Sequence, residues 1–151
     1  MNELTQSDVY ETEVRIEARP ETVFGFFTDP AKMVQWKGVD AALEPRPGGV
    51  YRVNVTGRET AIGEYLEVVP YSRIVFTWGW DSGPVRPGST RVEVDLIPDG
   101  NATIVRLRHF GLDAEGMTSH KMGWEHFLPR LVLAAQGQDA GIDPWTLGEP
   151  Q

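Results

Sequence analysis

The sequence predicts an α+β fold in which an antiparallel sheet packs against one long C-terminal helix. Three observations lead there. Between Val39 and His109 the chain stays strand-like and is broken only by short turns, and consecutive strands joined that way pair antiparallel, because parallel pairs need long crossovers. Two of these strands declare a buried face. Ile74, Phe76, Trp78 and Trp80 alternate with Val75, Thr77 and Gly79, and Val92, Val94 and Leu96 alternate with Arg91, Glu93 and Asp95. A sheet with one charged and one apolar face has to cover the second. The cover is a helix from about Ala114 to Gln136, where Met117, His120, Trp124, Phe127, Leu128, Leu131 and Ala135 recur at three- and four-residue spacing.

From the N-terminus, Val9 to Glu17 places Thr12, Val14 and Ile16 on one side and Glu11, Glu13, Arg15 and Glu17 on the other, the period of a half-buried strand. Pro20-Glu21 then opens a short helix carrying Val23, Phe24, Phe26 and Phe27. Proline is pre-set for the first helical position, and a carboxylate suits the positive helix end. Asp29-Pro30 repeats that start for a second short helix bearing Met33 and Trp36.

The strands follow as Val39–Glu44, Val50–Val55, Thr60–Val69, Arg73–Trp80, Ser89–Ile97 and Ala102–His109. Between them lie Pro47-Gly48-Gly49, Thr56-Gly57, Pro70-Tyr71-Ser72 and Pro98-Asp99-Gly100-Asn101, all turn chemistry. Asp81–Gly88 is a longer Gly- and Pro-rich loop. The closing helix would be about 35 Å long with Asp113 as its N-cap. Pro129 cannot donate to the Glu125 carbonyl, which predicts a kink between them at a cost of about 3 kcal/mol. The tail from Gln138 to Gln151 is polar, and Trp145 is its one large anchor.

The 151 residues suit a single domain, with a core of about residues 9–136. Hydrophobic residues make up 40% and charged residues 24%, an ordinary globular balance. A net charge of −8 argues against nucleic acid and against an anionic membrane surface, since both need clustered Lys and Arg. There is no cysteine, hence no disulfide or thiolate–metal site. Neither a signal peptide nor a membrane-length apolar run is visible, which makes a cytoplasmic location the expectation.

The order strand, two short helices, six strands and one long helix is that of the helix-grip fold. Local motifs sharpen the likeness. Pro20-Glu21-Thr22-Val23-Phe24, Phe27-Thr28-Asp29-Pro30 and Trp36, then Gly63 through Glu67 to Pro70, then Arg73-Ile74-Val75-Phe76-Thr77-Trp78, resemble the Hsp90-ATPase-activator-like family. So do His109-Phe110-Gly111-Leu112 and Gly123-Trp124 with Leu128 and Leu131. The resemblance implies a START-like, Bet v 1-like curved sheet with a cavity under the closing helix. That superfamily includes lipid and hormone carriers, polyketide cyclases and co-chaperone domains, so the site must decide the function. The sequence departs from the family in two places: members often carry two adjacent tryptophans in the second helix, where here Lys37 follows Trp36, and Pro129 within the closing helix is unusual.

Trp36, Tyr51, Trp78, Trp80 and Trp124, with Phe127 and Leu128, are the residues expected to line such a cavity. Aromatic side chains bring apolar area, and Tyr and Trp add a polar tip that orients a ligand. The structural alternative is that they simply fill the core. His109 and His120 share inward-facing positions and would hydrogen-bond a ligand or titrate near neutral pH; local backbone groups would otherwise satisfy them. Glu64 faces inward if Ile62, Leu66 and Val68 do, and a buried carboxylate would be a general base. The opposite parity, with Tyr65 and Val69 inside, fits almost as well. His126 is expected to face away.

No nucleophile elbow, phosphate loop or nucleotide fingerprint occurs, so neither a cofactor nor a catalytic residue is assigned. His120 and His126 would stand about 240° apart on a helix and cannot share a metal. The expected function is binding of a small, largely apolar molecule. A cyclase- or dehydratase-type enzyme using the same pocket and a homodimeric interaction module are the alternatives.

Overall fold

The computed structural model describes residues 9–82 and 85–147. The polar start Met1–Asp8, residues 83–84 of the long loop and residues 148–151 of the tail lie outside them. Seven strands form one antiparallel sheet: β1 (Val9–Ile16), β2 (Asp40–Leu43), β3 (Val50–Asn54), β4 (Thr60–Val69), β5 (Arg73–Trp78), β6 (Thr90–Asp99) and β7 (Ala102–Phe110). The order β1-β7-β6-β5-β4-β3-β2 is a six-strand meander with β1 laid along its last strand. Helices α1 (Pro20–Thr28) and α2 (Pro30–Met33) carry the chain from β1 to β2, at opposite sheet edges, and α3 (Ala114–Ala135) closes the fold. This is the helix-grip architecture.

The predicted signals work as local chemistry. The Asp29 carboxylate accepts from the Ala31 amide at 2.9 Å and starts α2. Asp113 accepts from Gly116 at 2.7 Å and starts α3, each satisfying an otherwise orphaned helix N–H. The β6–β7 turn is tighter than its composition suggests: Pro98 pairs with Thr103 and Asp99 with Ala102. Only Gly100 and Asn101 remain to reverse the chain, with Gly100 at φ +64°. Strand β5 ends at Trp78, and Trp80 pairs with Ala61 through one isolated bridge. Helix α3 runs unbroken through Pro129.

The inner face holds Tyr51, Val53, Ile74, Phe76, Trp78, Val92, Val94, Leu96, Val105 and Leu107. All are buried, against α1 and the Trp124–Leu131 face of α3. The outer face of β4–β7 is an ion-pair ladder. Glu93 meets Arg73, Arg91 and Arg108, and Asp95 meets Arg73 and Arg108. Glu93 is therefore a hub of that face, and its side chain is only 13% exposed.

Strand β4 resolves the parity that its sequence left open. Tyr65 is fully buried and donates from its hydroxyl to the Phe27 carbonyl at 2.9 Å. Glu64 and Leu66 are exposed. An irregularity in pairing between Tyr65 and Glu67 then shifts the register, so Val68 turns back toward the core. A bulge exchanges the two faces of a strand partway along, and no uniform alternation fits all ten residues. Glu64 as a buried general base is corrected by this geometry. Gly63 just before it is required, because a Cβ there would lie 1.9 Å from the Thr77 carbonyl oxygen.

Candidate functional site

A partly enclosed pocket of about 240 Å³ opens between the end of β5, the β3–β4 turn and the first half of α3. Trp78, Trp80, Trp124 and Phe127 wall it, and Trp145 from the tail closes one side. Trp78 sits among these rings, with centroids 5.4 Å from Trp80 and 5.9 Å from Trp124. Of the residues expected to line a cavity, the structure brings together Trp78, Trp80, His120, Trp124 and Phe127.

Trp36, Tyr51 and Leu128 lie behind the wall. Trp36 is spent on structure: its indole N–H donates to the Phe26 carbonyl at 2.9 Å, and its ring packs edge-on against Phe27. Tyr51 stacks on Phe76 at 4.1 Å, fully inside the core. Leu128 is buried in the same cluster. These three fill space, as the structural alternative has it.

Both inward-facing histidines are committed to the protein. Trp124 donates its indole N–H to His109 Nδ1 at 3.1 Å. The remaining His109 nitrogen, Nε2, must then carry the proton it gives to Thr90 Oγ1 at 2.8 Å, and that hydroxyl donates onward to the Trp78 carbonyl at 2.7 Å. Trp78 donates its own indole N–H to His120 Nε2 at 3.2 Å, leaving His120 Nδ1–H to donate to the Gly116 carbonyl at 2.9 Å. Each imidazole is thus neutral, in opposite tautomers, with no nitrogen free for a ligand. Burial pushes the His109 pKa well below its ordinary value of 6.5, and the positive charges of His120 and Lys37 would push it further. His120 is lowered too, chiefly by burial, against the pull of the Gly116 carbonyl. The expectation that either orients a ligand or titrates near neutrality is replaced by a positioning role: the two rings lock Trp78 and Trp124.

The polar group that does reach this place is one the sequence reading did not select. Lys37 is 2% exposed, and its Nζ has no hydrogen-bond partner among the described residues. The amine lies 4.0 Å from the Trp78 ring centroid and 4.5 Å from that of Trp124. Its backbone is fixed from two sides: Lys37 N–H donates to the Met33 carbonyl at 2.9 Å, and Arg130 donates to the Trp36 carbonyl at 3.1 Å. Gly38 then turns the chain at φ +92°, so close to β3 that a Cβ would sit 2.7 Å from the Asn54 carbonyl oxygen. Desolvation pushes the Lys37 pKa well below 10.5. The indole faces pull the other way, at about 2 kcal/mol each when dry, against an ion-burial penalty of several kcal/mol. The signal in the sequence was the departure already noted, a lysine where a second tryptophan is common.

Further rim residues are Thr56 and Glu59 from the β3–β4 turn, Ser119 from α3 and Trp145 from the tail. Trp145 is held by stacking on His126 at 3.8 Å, and His126 in turn meets the buried Asp143 carboxylate at 2.7 Å. His126 thus anchors the tail, which corrects its assignment to the open surface. Among the described residues no group of three or more His, Asp or Glu could hold a metal ion, and no helix is long and apolar enough to cross a membrane.

Comparison with known proteins agrees with this fold. An AHSA1-like protein from Rhizobium etli is 46% identical over 95% of this chain and 90% of its own, with a TM-score of 0.74. The Aha1 dimer from Colwellia psychrerythraea is 18% identical, covering 85% and 96%, at a TM-score of 0.74. An HSP90 activator from Plasmodium falciparum is 23% identical, covering 82% and 92%, at 0.68. Both of the latter share the fold. Nothing among curated proteins matches the chain. The sequence pattern described as Activator of Hsp90 ATPase homolog 1-like protein matches residues 17–136, and the chain belongs to that family.

Proposed function

We propose that this chain binds a small, largely apolar molecule in the tryptophan-walled pocket between the sheet and α3. One observation carries the reading: a volume of about 240 Å³ is left open beside Trp78, Trp80, Trp124 and Phe127, at the edge of the buried core. Aromatic walls with few polar groups are the usual lining of small-molecule sites. The His109–Trp124 and His120–Trp78 hydrogen bonds support it further, because they hold the walls in place before any ligand arrives and so reduce the ordering cost of binding.

Native mass spectrometry of freshly purified protein, before and after denaturing extraction, looks for a co-purified molecule. Titration with naphthylmethanol, followed by tryptophan fluorescence, tests the site itself. Trp80→Ala removes a half-buried wall at the mouth and should weaken binding about tenfold, the loss of one aromatic contact worth about 1.4 kcal/mol. Trp124→Ala should weaken it at least as much, and Glu11→Ala, on the exposed face of β1, should leave it unchanged. Equal affinity in all three variants would exclude this pocket.

The alternative of a homodimer draws on the dimeric Aha1 relative. Sedimentation equilibrium of the full chain decides it independently of ligand binding.

A further inference from the structure

We infer that Lys37 is an amine nucleophile that captures an aromatic aldehyde entering the pocket, holding it as an imine. The inference deepens the reading above and rests on it. Three features of the site favour it. First, a buried amine ordinarily has an acceptor, and this one has none among the described residues: Nζ meets the faces of Trp78 and Trp124, with the Trp36 ring centroid 5.7 Å away. Faces of that kind take N–H groups weakly and leave the nitrogen lone pair uncommitted. A lysine desolvated in an apolar pocket is the recognised form of an activated amine.

Second, the surroundings disfavour an anionic ligand. No other Lys or Arg lines the pocket, while the Glu59 carboxylate does. The indole N–H groups of Trp78 and Trp124 and both imidazole N–H groups are already spent within the protein. An anion would meet one cation with the Glu59 carboxylate nearby, in a chain of net charge −8. A neutral carbonyl compound needs only the amine and the aromatic walls.

Third, the flexible lysine stem starts from a rigid base. Arg130 and Met33 pin the backbone at Trp36 and Lys37, and the Gly38 turn fixes its exit. The amine is closed to water although its residue lines the pocket, so the stem must swing toward the aldehyde, and capture is slower than binding.

The step balances without any other reagent. The Nζ lone pair attacks the carbonyl carbon, a C–N bond forms, and the C=O π pair moves to oxygen. The proton lost by nitrogen is delivered to that oxygen through water entering with the aldehyde, giving a carbinolamine. The nitrogen lone pair then forms C=N as the C–O bond breaks. The second amine proton leaves with the oxygen, and the net products are the Lys37 imine and one water.

The full chain is incubated with naphthaldehyde and sodium cyanoborohydride near neutral pH, and reduced adducts are located by intact mass and peptide mapping. The α-amino group is scored separately. Lys32 and Lys121 are the internal references, because they are the other lysines of the sequence and Lys121 is paired with Glu125 on the surface. The expected result is modification of Lys37 about tenfold or more above either reference, because an aldehyde bound in the pocket is held beside this amine at high effective concentration. Lys37→Met and Lys37→Arg should lose that adduct, whereas Glu11→Ala should keep both the adduct and the binding of naphthylmethanol, the unreactive analogue. If naphthylmethanol binds but Lys37 is labelled no more than Lys32 and Lys121, the imine is overturned and the pocket stands. If naphthylmethanol does not bind and Lys37 is unlabelled, both fall.

Discussion

An unpaired lysine amine inside an aromatic cage sets the pH behaviour of the chain. In the folded state burial lowers the Lys37 pKa, and in the unfolded state it returns to about 10.5. Between those two values the unfolded chain binds the extra proton, so stability present above pH 10.5 is lost as pH falls toward the lowered folded value. Lys37→Met keeps the length of the side chain and removes the amine. It is expected to be more stable at neutral pH by about 1–3 kcal/mol, the cost of a buried unsatisfied polar group. Its stability should also be flatter in pH between the two values. Urea unfolding of both proteins at pH 7 and pH 10 checks it, and parallel pH slopes would show that the amine is not buried as a neutral group. Tyr51 and Tyr65, buried and raised in pKa, start to lose their contribution as pH approaches 10, but equally in both proteins, so the difference between them still reports Lys37.

The histidines make a second residue-scale prediction. His109 should appear as the Nε2–H tautomer and His120 as the Nδ1–H tautomer, and neither should titrate between pH 7 and its ordinary value of 6.5. Long-range proton–nitrogen NMR reads both tautomers directly. Because both folded pKa values are depressed, the stability they carry is present above pH 6.5 and lost as pH falls through the lowered values. An imidazole found charged at pH 6.5 would mean that its tryptophan hydrogen bond is absent.

At the scale of elements, the sequence was legible where a single rule held along a whole segment. Strands β5 and β6 kept one alternation throughout, and α3 kept one helical face, so Trp78, Trp80, Trp124 and Phe127 could be assigned to the pocket. It was not legible where two rules met. The bulge after Tyr65 exchanged the faces of β4 and put Glu64 outside. Lys37 was hidden for a different reason: lysine is almost never buried without a partner, so only its place beside Trp36 marked it. His109 and His120 were placed inside correctly, but the indole partners that consume them lie 15 and 42 residues away in sequence, beyond any local pattern.

The tail shows how one side chain can couple elements. Arg130 on α3 donates to the carbonyls of Trp36, Ala140 and Gly141, tying α3 to the segment that carries Lys37 and to the tail. Arg130→Met keeps the aliphatic stem and removes all three bonds. It should cost about 2 kcal/mol, the scale of hydrogen bonds from a charged donor. Amide exchange should accelerate at Gly141 and Trp145 while β6 and β7 stay protected. Unchanged exchange in the tail would mean that the His126–Trp145 stack alone holds it.

For the whole molecule, the pocket lies where three parts of the chain meet: the β3–β4 turn, the end of β5 and α3, with Trp145 of the tail against them. A ligand there contacts all of them in the folded chain and none in the unfolded one. Mass action then stabilises the fold, by about 2.7 kcal/mol when free ligand is a hundred times Kd. For a chain of this size that is a rise of roughly 5–10 °C in the melting temperature. Naphthylmethanol in that excess should produce the rise in the native chain and a smaller one in Trp80→Ala at the same concentration. The rise should be accompanied by slower amide exchange around His120 and Trp124 on α3, with β1 unaffected, because β1 lies at the sheet edge and contributes nothing to the pocket. Slower exchange spread evenly over the sheet would instead place the ligand outside the pocket, and no rise at saturation would remove the binding site altogether.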